Sequence, residues 1–167
     1  MPSSVRVVLL MGVAASGKST VGRALADALG WAFEDADAYH SEASLAKMAR
    51  GEGLTDADRG PWLDRLGDLV RTRAETGPPT VLACSALTAA YRARLGADRP
   101  DVLAAWLDVP ARVLADRLAA RPGHVAGPAL LPSQLATWEP PAGGVRLDGT
   151  AAVGALVAAV RARVEAG

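Results

Sequence analysis

The chain has 167 residues, a length that predicts a single domain, residues 1–167, with a core of its own. Its 18 basic and 18 acidic residues balance, which gives no indication of nucleic acid or a membrane as a partner. The single cysteine, Cys84, excludes an internal disulfide and fits a reducing compartment. No apolar run reaches the ~20 residues of a membrane span, and no signal peptide is recognisable, so we expect a cytoplasmic protein.

Short apolar strands alternate with helical patterns along the chain. Strands are predicted over residues 5–11, 31–34, 80–84, 102–107 and 145–147. Helices are predicted after the first strand, over residues 41–50, 54–76 and 89–95, after Pro110 and at the chain end, with Asp56 as an expected N-cap. The first and last helices have apolar stripes formed by Val21, Leu25, Ala28 and Leu29, and by Val153, Leu156, Val157, Val160 and Val164. This alternation predicts an α/β fold with a parallel sheet and helices on both faces.

A glycine-rich loop is the most specific feature. Residues 12–19, GVAASGKS, fit the pattern G-x-x-x-x-G-K-[ST] without a mismatch. They lie between a strand and a helix, where backbone N–H groups and the helix N-terminus can bind phosphate. We expect Lys18 to reach the outer phosphates of ATP and Ser19 to bind Mg²⁺. The other expected nucleotide contacts here are Gly12, Ala14, Ala15, Ser16, Gly17 and Thr20. The alternative is an ordinary glycine-rich turn, which the lysine, the serine and both flanks disfavour.

Polar residues follow the next two strands. In a parallel sheet, ligands bind beyond the carboxyl ends of the strands, so Asp35, Asp37 and Ser85 are expected at the same edge as the loop. Two carboxylates beside a Mg²⁺–phosphate site can divide the work: one organises the metal, and the other orients an acceptor hydroxyl and takes its proton. His40 is a candidate donor to that acceptor. A solvated acidic loop and a surface histidine are the alternatives.

Cationic side chains come next in the sequence. Lys47 and Arg50 can share one helix face, and Arg59 and Trp62 can share another. Such a face suits an anionic acceptor, because arginine can bind a carboxylate with two parallel hydrogen bonds. A solvated helix explains the same pattern if these cations pair with the acids nearby, which are Asp56, Asp58 and Asp64. The pattern alone does not decide between these interpretations.

Two arginines near residue 120 indicate a lid. Arg117 and Arg121 are four residues apart on one helix face, and a stretch rich in proline and glycine follows them. Phosphoryl transfer gains from cations on the γ-phosphate and from the exclusion of water. We therefore expect both arginines to contact nucleotide and residues 122–138 to form a lid. The alternative is a helix end that favours arginines because of its negative dipole.

With these segments the chain resembles the small P-loop gluconate kinases. The resemblance covers most of the chain from Met11 to Pro140, and its most telling parts are DRGPWL at residues 58–63 and CSAL at residues 84–87. The other matching positions are Met11-Gly12-Val13 with the phosphate loop, Asp35-Ala36-Asp37 with His40, Lys47-Met48, Leu54 to Ala57, Tyr91-Arg92, Arg117, Arg121, Gly123-His124, Leu130-Leu131, Ser133-Gln134-Leu135 and Glu139-Pro140.

The resemblance implies a nucleoside-monophosphate-kinase-like fold and ATP-dependent phosphorylation of D-gluconate at its 6-hydroxyl, usually by a homodimer. It implies Lys18, Asp37 and Arg121 as catalytic residues, with Ser19 and Asp35 around Mg²⁺. It also implies a helical substrate-binding segment over residues 41–76. The implied gluconate contacts are Asp37, His40, Lys47, Arg59 and Arg92.

The sequence departs from the family pattern at several positions. Alanines at 14–15 replace the serine and glycine common in the loop, and Ser44, Thr88 and Val125 replace other common residues. Residues 148–150 match poorly, which leaves the adenine contacts open. A kinase for another small hydroxy acid such as shikimate shares the loop and both aspartates, so these motifs do not exclude it. A non-catalytic nucleotide switch is another alternative, which the lid arginines disfavour because a switch has little use for them.

Overall fold

The computed structural model describes residues 3–121 and 130–167. Its strands are β1 Val7–Met11, β2 Ala32–Asp35, β3 Thr80–Cys84, β4 Val102–Asp108 and β5 Val145–Asp148. Its α-helices are α1 Lys18–Leu29, α2 Glu42–Ala49, α3 Asp56–Glu75, α4 Ala89–Arg94, α5 Ala111–Ala119, α6 Leu131–Thr137 and α7 Val153–Ala166, and a 3₁₀ helix spans Ala36–Tyr39. The strands form one parallel sheet in the order β2-β3-β1-β4-β5.

The sheet is covered on both faces, as the sequence predicts. All five residues of β1 and of β3 are buried, because strands inside a parallel sheet meet helices above and below. Successive side chains of a strand point to opposite faces. Leu9 and Met11 accordingly pack with residues of α3, while Val8 and Leu10 pack with residues of α1 and α7. The predicted fold class is confirmed.

The strand register brings the carboxyl ends of the strands to one edge. Met11 at the end of β1 lies beside Cys84 at the end of β3, and Asp35 at the end of β2 lies beside Ala83. The phosphate loop, the aspartates after β2 and Ser85 therefore leave the sheet at the same level. This is the edge at which the sequence predicts a ligand.

The two helices of the predicted substrate-binding segment begin at hydroxyl caps. The Ser41 Oγ accepts a hydrogen bond from the backbone N–H of Ser44, at 3.1 Å, at the start of α2. Thr55 caps α3: its Oγ1 accepts from the Asp58 N–H, and the Asp58 carboxylate accepts from the Thr55 N–H. The expectation that Asp56 is this cap is wrong, since the reciprocal pair of Thr55 and Asp58 satisfies two otherwise unpaired donors one residue earlier.

Two predicted apolar stripes are confirmed in part, and each differs from the buried helix face at one or more positions. In α1 the buried face is Val21, Gly22, Leu25 and Ala26, and Ala28 is exposed. In α7 the buried residues are Leu156, Val160 and Val164, while Val153 at the first position is 38% exposed. The four-residue spacing of each buried set follows the helix face that lies against the sheet.

The remaining predictions on the fold concern the lid and the membrane. Residues 122–129 of the predicted lid lie outside the described residues, and the rest of it contains α6. None of the described helices has the length and apolar character needed to cross a membrane.

Candidate active site

A cavity of about 450 Å³ lies at the carboxyl edge of the sheet. The phosphate loop forms one wall, and α2, α3 and the start of α6 form the others. Among the residues lining it are Ala14, Ala15, Gly17, Lys18, Ser19, Thr20, Asp35, Asp37, His40, Arg59, Trp62, Ser85, Arg121, Ser133 and Gln134. Most of the predicted site residues are thus brought together. Gly12 and Ser16 support the loop from behind.

The loop conformation depends on close packing at its first glycine. A Cβ on Gly12 would lie 2.5 Å from the Ser16 Oγ, so no side chain fits there. Gly17 has a φ of +98° as it starts α1, a conformation that glycine adopts without strain. In the described part of the chain, the backbone N–H groups of Gly17, Lys18 and Ser19 have no protein acceptor. These donors at a helix N-terminus form the expected site for a phosphate anion.

Lys18 is the cation of this site. Its Nζ donates a hydrogen bond to the Val13 carbonyl at 3.1 Å. Burial lowers the pKa of Lys18, while the Asp37, Cys84 and Asp35 side chains raise it by smaller amounts. A buried ammonium of this kind gains from an anionic ligand. The position fits the outer phosphates of a nucleotide.

Arg117 holds the loop from outside the cavity. Its Nη1 donates to the carbonyls of Ala15 and Ser16 at 3.1 and 3.2 Å, and its Nη2 donates to the Gly149 carbonyl at 2.8 Å. Ala15 has a φ of +66°, which a residue with a Cβ keeps only where its surroundings enforce it. Arg117 therefore stabilises a strained loop and ties it to the segment after β5. Arg121, one turn later, lines the cavity itself.

Ser19 and Asp35 form an oxygen pair that suits Mg²⁺. The Ser19 hydroxyl donates to Asp35 Oδ2 at 2.7 Å. Among the described residues there is no group of three or more acidic, histidine or cysteine side chains that could hold a metal. Mg²⁺ beside nucleotide phosphates needs only one or two protein oxygens, because phosphates and water complete its octahedron. The pair fits that role.

Asp37 presents an open carboxylate. Its backbone N–H donates to Asp35 Oδ1 at 3.0 Å, which fixes the turn after β2. Its own side chain is 84% exposed, and one of its oxygens lies 3.7 Å from His40 Nε2. A carboxylate that lines the cavity near Lys18 and accepts no strong hydrogen bond can receive one from a ligand hydroxyl.

His40 lines the cavity beside Asp37. Its ring stacks on Trp62 with centroids 4.3 Å apart, and the Trp62 Nε1 donates to the Ala36 carbonyl at 2.7 Å. Only 5% of the His40 side chain is exposed, and burial lowers its pKa more than the Asp37 carboxylate raises it. In the described residues its Nδ1 is buried without a hydrogen-bond partner. A neutral imidazole here is free to bond a ligand hydroxyl.

Arg59 supplies the acceptor side with a cation. Its Nη1 donates to the Tyr91 hydroxyl at 3.1 Å, and that hydroxyl donates to Asp56 Oδ1 at 2.7 Å. The guanidinium is thus held in place while lining the cavity. Its five donors leave capacity for a carboxylate.

The structure does not bring Lys47 and Arg92 into the cavity lining. The Lys47 ammonium donates to the Asp58 carboxylate at 2.8 Å, which lowers the pKa of Asp58 to about 2. Arg92 is buried, donates to the Ala86 carbonyl at 2.9 Å and lies over the Trp138 ring. Each cation therefore has a protein partner. For Lys47 this matches the alternative of a helix whose cations pair with nearby acids.

The cavity also contains residues to which the sequence assigned no role. Gln134 of α6 accepts a hydrogen bond from the Ala14 N–H at 2.7 Å. The sequence signal for Gln134 was its place in the Ser-Gln-Leu segment, because a single glutamine forms no motif that indicates a function. Cys84 also lines the cavity, but burial raises the pKa of its thiol to about 12, which agrees with a packing role.

A lysine-bearing glycine loop, an oxygen pair for Mg²⁺ and an open carboxylate opposite them define the class of P-loop kinases for small molecules. Residues 7–141 match the family model described as an AAA domain. The chain is 46% identical to the gluconokinase of Gluconobacter oxydans, over 81% of this chain and 76% of that one. The chain belongs to the gluconokinase family.

Solved structures agree with this membership. A crystal structure of a gluconokinase from Sinorhizobium meliloti superposes with a TM-score of 0.83 at 37% identity, covering 99% of this chain and 95% of the other. An unliganded sugar kinase from a Janibacter species superposes with a TM-score of 0.87 at 40% identity, covering 95% and 93%. Both alignments span the sheet and the site described above.

Proposed function

We propose that the protein transfers the γ-phosphoryl group of ATP to the 6-hydroxyl of D-gluconate, giving 6-phosphogluconate and ADP. The observation that carries this proposal is one cavity that contains the phosphate loop with Lys18, the open carboxylate of Asp37 and the guanidinium of Arg59. A donor site, a proton acceptor and an anion-binding group are thus adjacent. Membership of the gluconokinase family supports the same acceptor.

The phosphate loop binds the donor. The free N–H groups at the start of α1 receive the phosphate oxygens, and the Lys18 ammonium moves from the Val13 carbonyl to the outer phosphates. As the phosphoryl group transfers, negative charge gathers on the oxygen that leaves. Lys18 and Arg121 stabilise that charge from two sides of the cavity. Arg117, which was predicted as a nucleotide contact, acts from outside the cavity by holding the loop.

Asp37 orients the acceptor. The 6-hydroxyl donates a hydrogen bond to its carboxylate, which aims the oxygen at the γ-phosphorus. When the new P–O bond forms and the bond to the β-phosphate oxygen breaks, the hydroxyl proton passes to Asp37. Asp37 and Lys18 line the same cavity, so the carboxylate faces the site of the phosphates.

The residues around Asp37 read the rest of the sugar acid. Arg59 binds the gluconate carboxylate. The buried His40 Nδ1 accepts a hydrogen bond from one of the gluconate hydroxyls. Lys47 and Arg92 remain predicted contacts from the resemblance, and their present hydrogen bonds would have to break for either to serve. We therefore assign the carboxylate to Arg59 alone.

Ser19 and Asp35 would hold Mg²⁺. The ion would supply neutralisation of the phosphate charge. The hydrogen bond between these two side chains keeps both oxygens at the same point of the cavity in its absence. We also propose a homodimer, which the resemblance implies and sedimentation velocity measures directly. The single cysteine favours a cytoplasmic location.

A coupled assay tests the acceptor. ADP release is followed with ATP and Mg²⁺ in the presence of gluconate, other aldonates, shikimate or nucleoside monophosphates. We expect turnover with gluconate well above that with the others. Turnover of shikimate without gluconate would establish the rival kinase, and nucleotide binding without turnover of any acceptor would establish a switch.

A further inference from the structure

Gln134 connects α6 to the phosphate loop. Its Oε1 accepts a hydrogen bond from the Ala14 N–H at 2.7 Å, across 120 positions of sequence. The side chain lines the same cavity as Lys18 and Asp37. Ala14 is 8% exposed, and its N–H would lose this partly buried hydrogen bond if the Gln134 oxygen were removed.

The loop amides fall into two groups. The Ala14 N–H is satisfied by Gln134 and the Ser16 N–H by the Val13 carbonyl. Within the described residues, the N–H groups of the other loop residues from Val13 to Ser19 have no protein acceptor. The second group is available to an anion, whereas the first is already held by the protein. Gln134 therefore holds the Ala14 side of the loop and leaves the N–H groups that can bind phosphate unoccupied.

Helix α6, which carries Gln134, is held in place by contacts that do not involve nucleotide. Leu131, one turn earlier on α6, is buried among Val13, Ala15 and Leu114. After the helix, the Glu139 N–H donates to the Leu87 carbonyl at 2.8 Å and the Glu139 carboxylate accepts from the Ala89 N–H. These contacts secure α6 to the loops after β1 and β3. The carboxamide is thus presented to Ala14 from a rigid support.

The chemistry of the position calls for a neutral acceptor. An oxygen beside a phosphate site must accept from the loop without repelling the anion, and a carboxamide does so whereas a carboxylate adds a negative charge. We propose that Gln134 is a positioning residue for phosphoryl transfer, which holds the Ala14 side of the loop so that the bound γ-phosphate faces Asp37. The inference rests on the proposed kinase function. It predicts an effect on turnover larger than that on nucleotide binding, since binding uses the other amides and Lys18.

Three substitutions in the full-length protein test this. Gln134→Met removes the acceptor at nearly constant size, and Gln134→Glu keeps an oxygen but adds charge. Thr137→Ala is the control on the next turn of α6, where the half-buried hydroxyl donates to the Ser133 carbonyl of the same helix. Since a misplacement of about 1 Å can cost roughly 100-fold in rate, we expect Gln134→Met to lower kcat at least about tenfold, with the Kd for ADP within about twofold of wild type. Gln134→Glu should restore most of kcat at saturating ATP while raising the KM for ATP about tenfold through repulsion.

Hydrogen exchange of the Ala14 amide gives a readout that does not depend on the acceptor. Gln134→Met should speed that exchange in the free protein, and Gln134→Glu should not. Wild-type kcat in Gln134→Met, or equal losses of kcat and ADP affinity, would overturn the positioning role. If wild type fails to turn over gluconate, the proposed function is wrong, and unchanged Ala14 exchange in Gln134→Met would separately refute the inference. Should the methionine variant not fold, a Gln134→Glu variant with wild-type KM for ATP would also refute it.

Discussion

At the scale of single residues, the open carboxylate of Asp37 differs from that of Asp35, although the two are only two positions apart. Asp35 accepts from Ser19 and from the Asp37 N–H, so both of its oxygens are used. Among the described residues, the nearest charged partner of Asp37 is His40, at 3.7 Å. This difference in partners supports the proposed roles, which are metal support for Asp35 and proton acceptance for Asp37.

Asp37→Asn should therefore lower turnover strongly without loss of nucleotide binding. The amide cannot take the hydroxyl proton, and general-base catalysis contributes roughly 10²–10⁴-fold, so we expect kcat to fall by about that factor. The Kd for ADP, measured by calorimetry, should stay within about twofold of wild type. Asp64→Asn, on the exposed side of α3, is the matched control. Equal losses of kcat and ADP affinity in Asp37→Asn would contradict the assignment.

Arg59 and Lys47 offer a direct comparison of two cations that the sequence could not separate. Arg59 lines the cavity, and Lys47 is paired with Asp58. A hydrogen bond to a charged group contributes about 1.5–3 kcal/mol, so Arg59→Ala should raise the KM for gluconate roughly 10- to 100-fold. Lys47→Ala should leave it within about twofold. The opposite ranking in steady-state kinetics would restore Lys47 as the substrate contact.

His40 makes stability depend on pH. Burial lowers its pKa in the folded protein below the ordinary 6.5, so below that pH the unfolded chain binds more protons here than the folded one. This contribution to stability is complete above about pH 6.5 and is lost as the pH falls toward the folded-state pKa. His40→Gln removes it. We expect the drop in Tm between about pH 7 and about pH 5.5 to be smaller for the variant; equal drops would contradict a buried neutral imidazole.

At the scale of elements, α3 carries the acceptor side and depends on its cap. Thr55 and Asp58 form a reciprocal pair in the turn that also holds Arg59. Removal of a hydroxyl cap costs about 1 kcal/mol, so Thr55→Ala should lower Tm by roughly 2–4 °C. Thr76→Ala at the other end of α3 loses only a 3.3 Å bond to the Thr72 carbonyl and should change Tm by less than about 1 °C. Equal shifts in calorimetry would show that the capping pair does not stabilise α3.

At the scale of the whole molecule, the sequence predicts the sheet and its ligand edge because strand burial and helix periodicity are local signals. It also predicts the phosphate loop, whose pattern is contiguous. It did not separate Arg59 from Lys47, since pairing with Asp58 depends on how α2 and α3 pack. It assigned no role to Gln134, because the contact with Ala14 joins two distant segments. The roles of these residues depend on tertiary contacts, which a search for sequence patterns does not detect.

Nucleotide should stabilise the entire fold, because the loop that binds it joins central β1 to α1. A ligand at 100 times its Kd adds about 2.7 kcal/mol to the stability of the state it binds, which for a chain of this size corresponds to a rise in Tm of roughly 5–10 °C. Lys18→Met should remove most of the rise with ADP and Mg²⁺, since it deletes the loop ammonium that lines the cavity. Asp37→Asn should keep the rise, because its carboxylate serves the acceptor. Thermal denaturation of the three proteins with and without ADP measures this, and a full ADP response in Lys18→Met would place the nucleotide elsewhere.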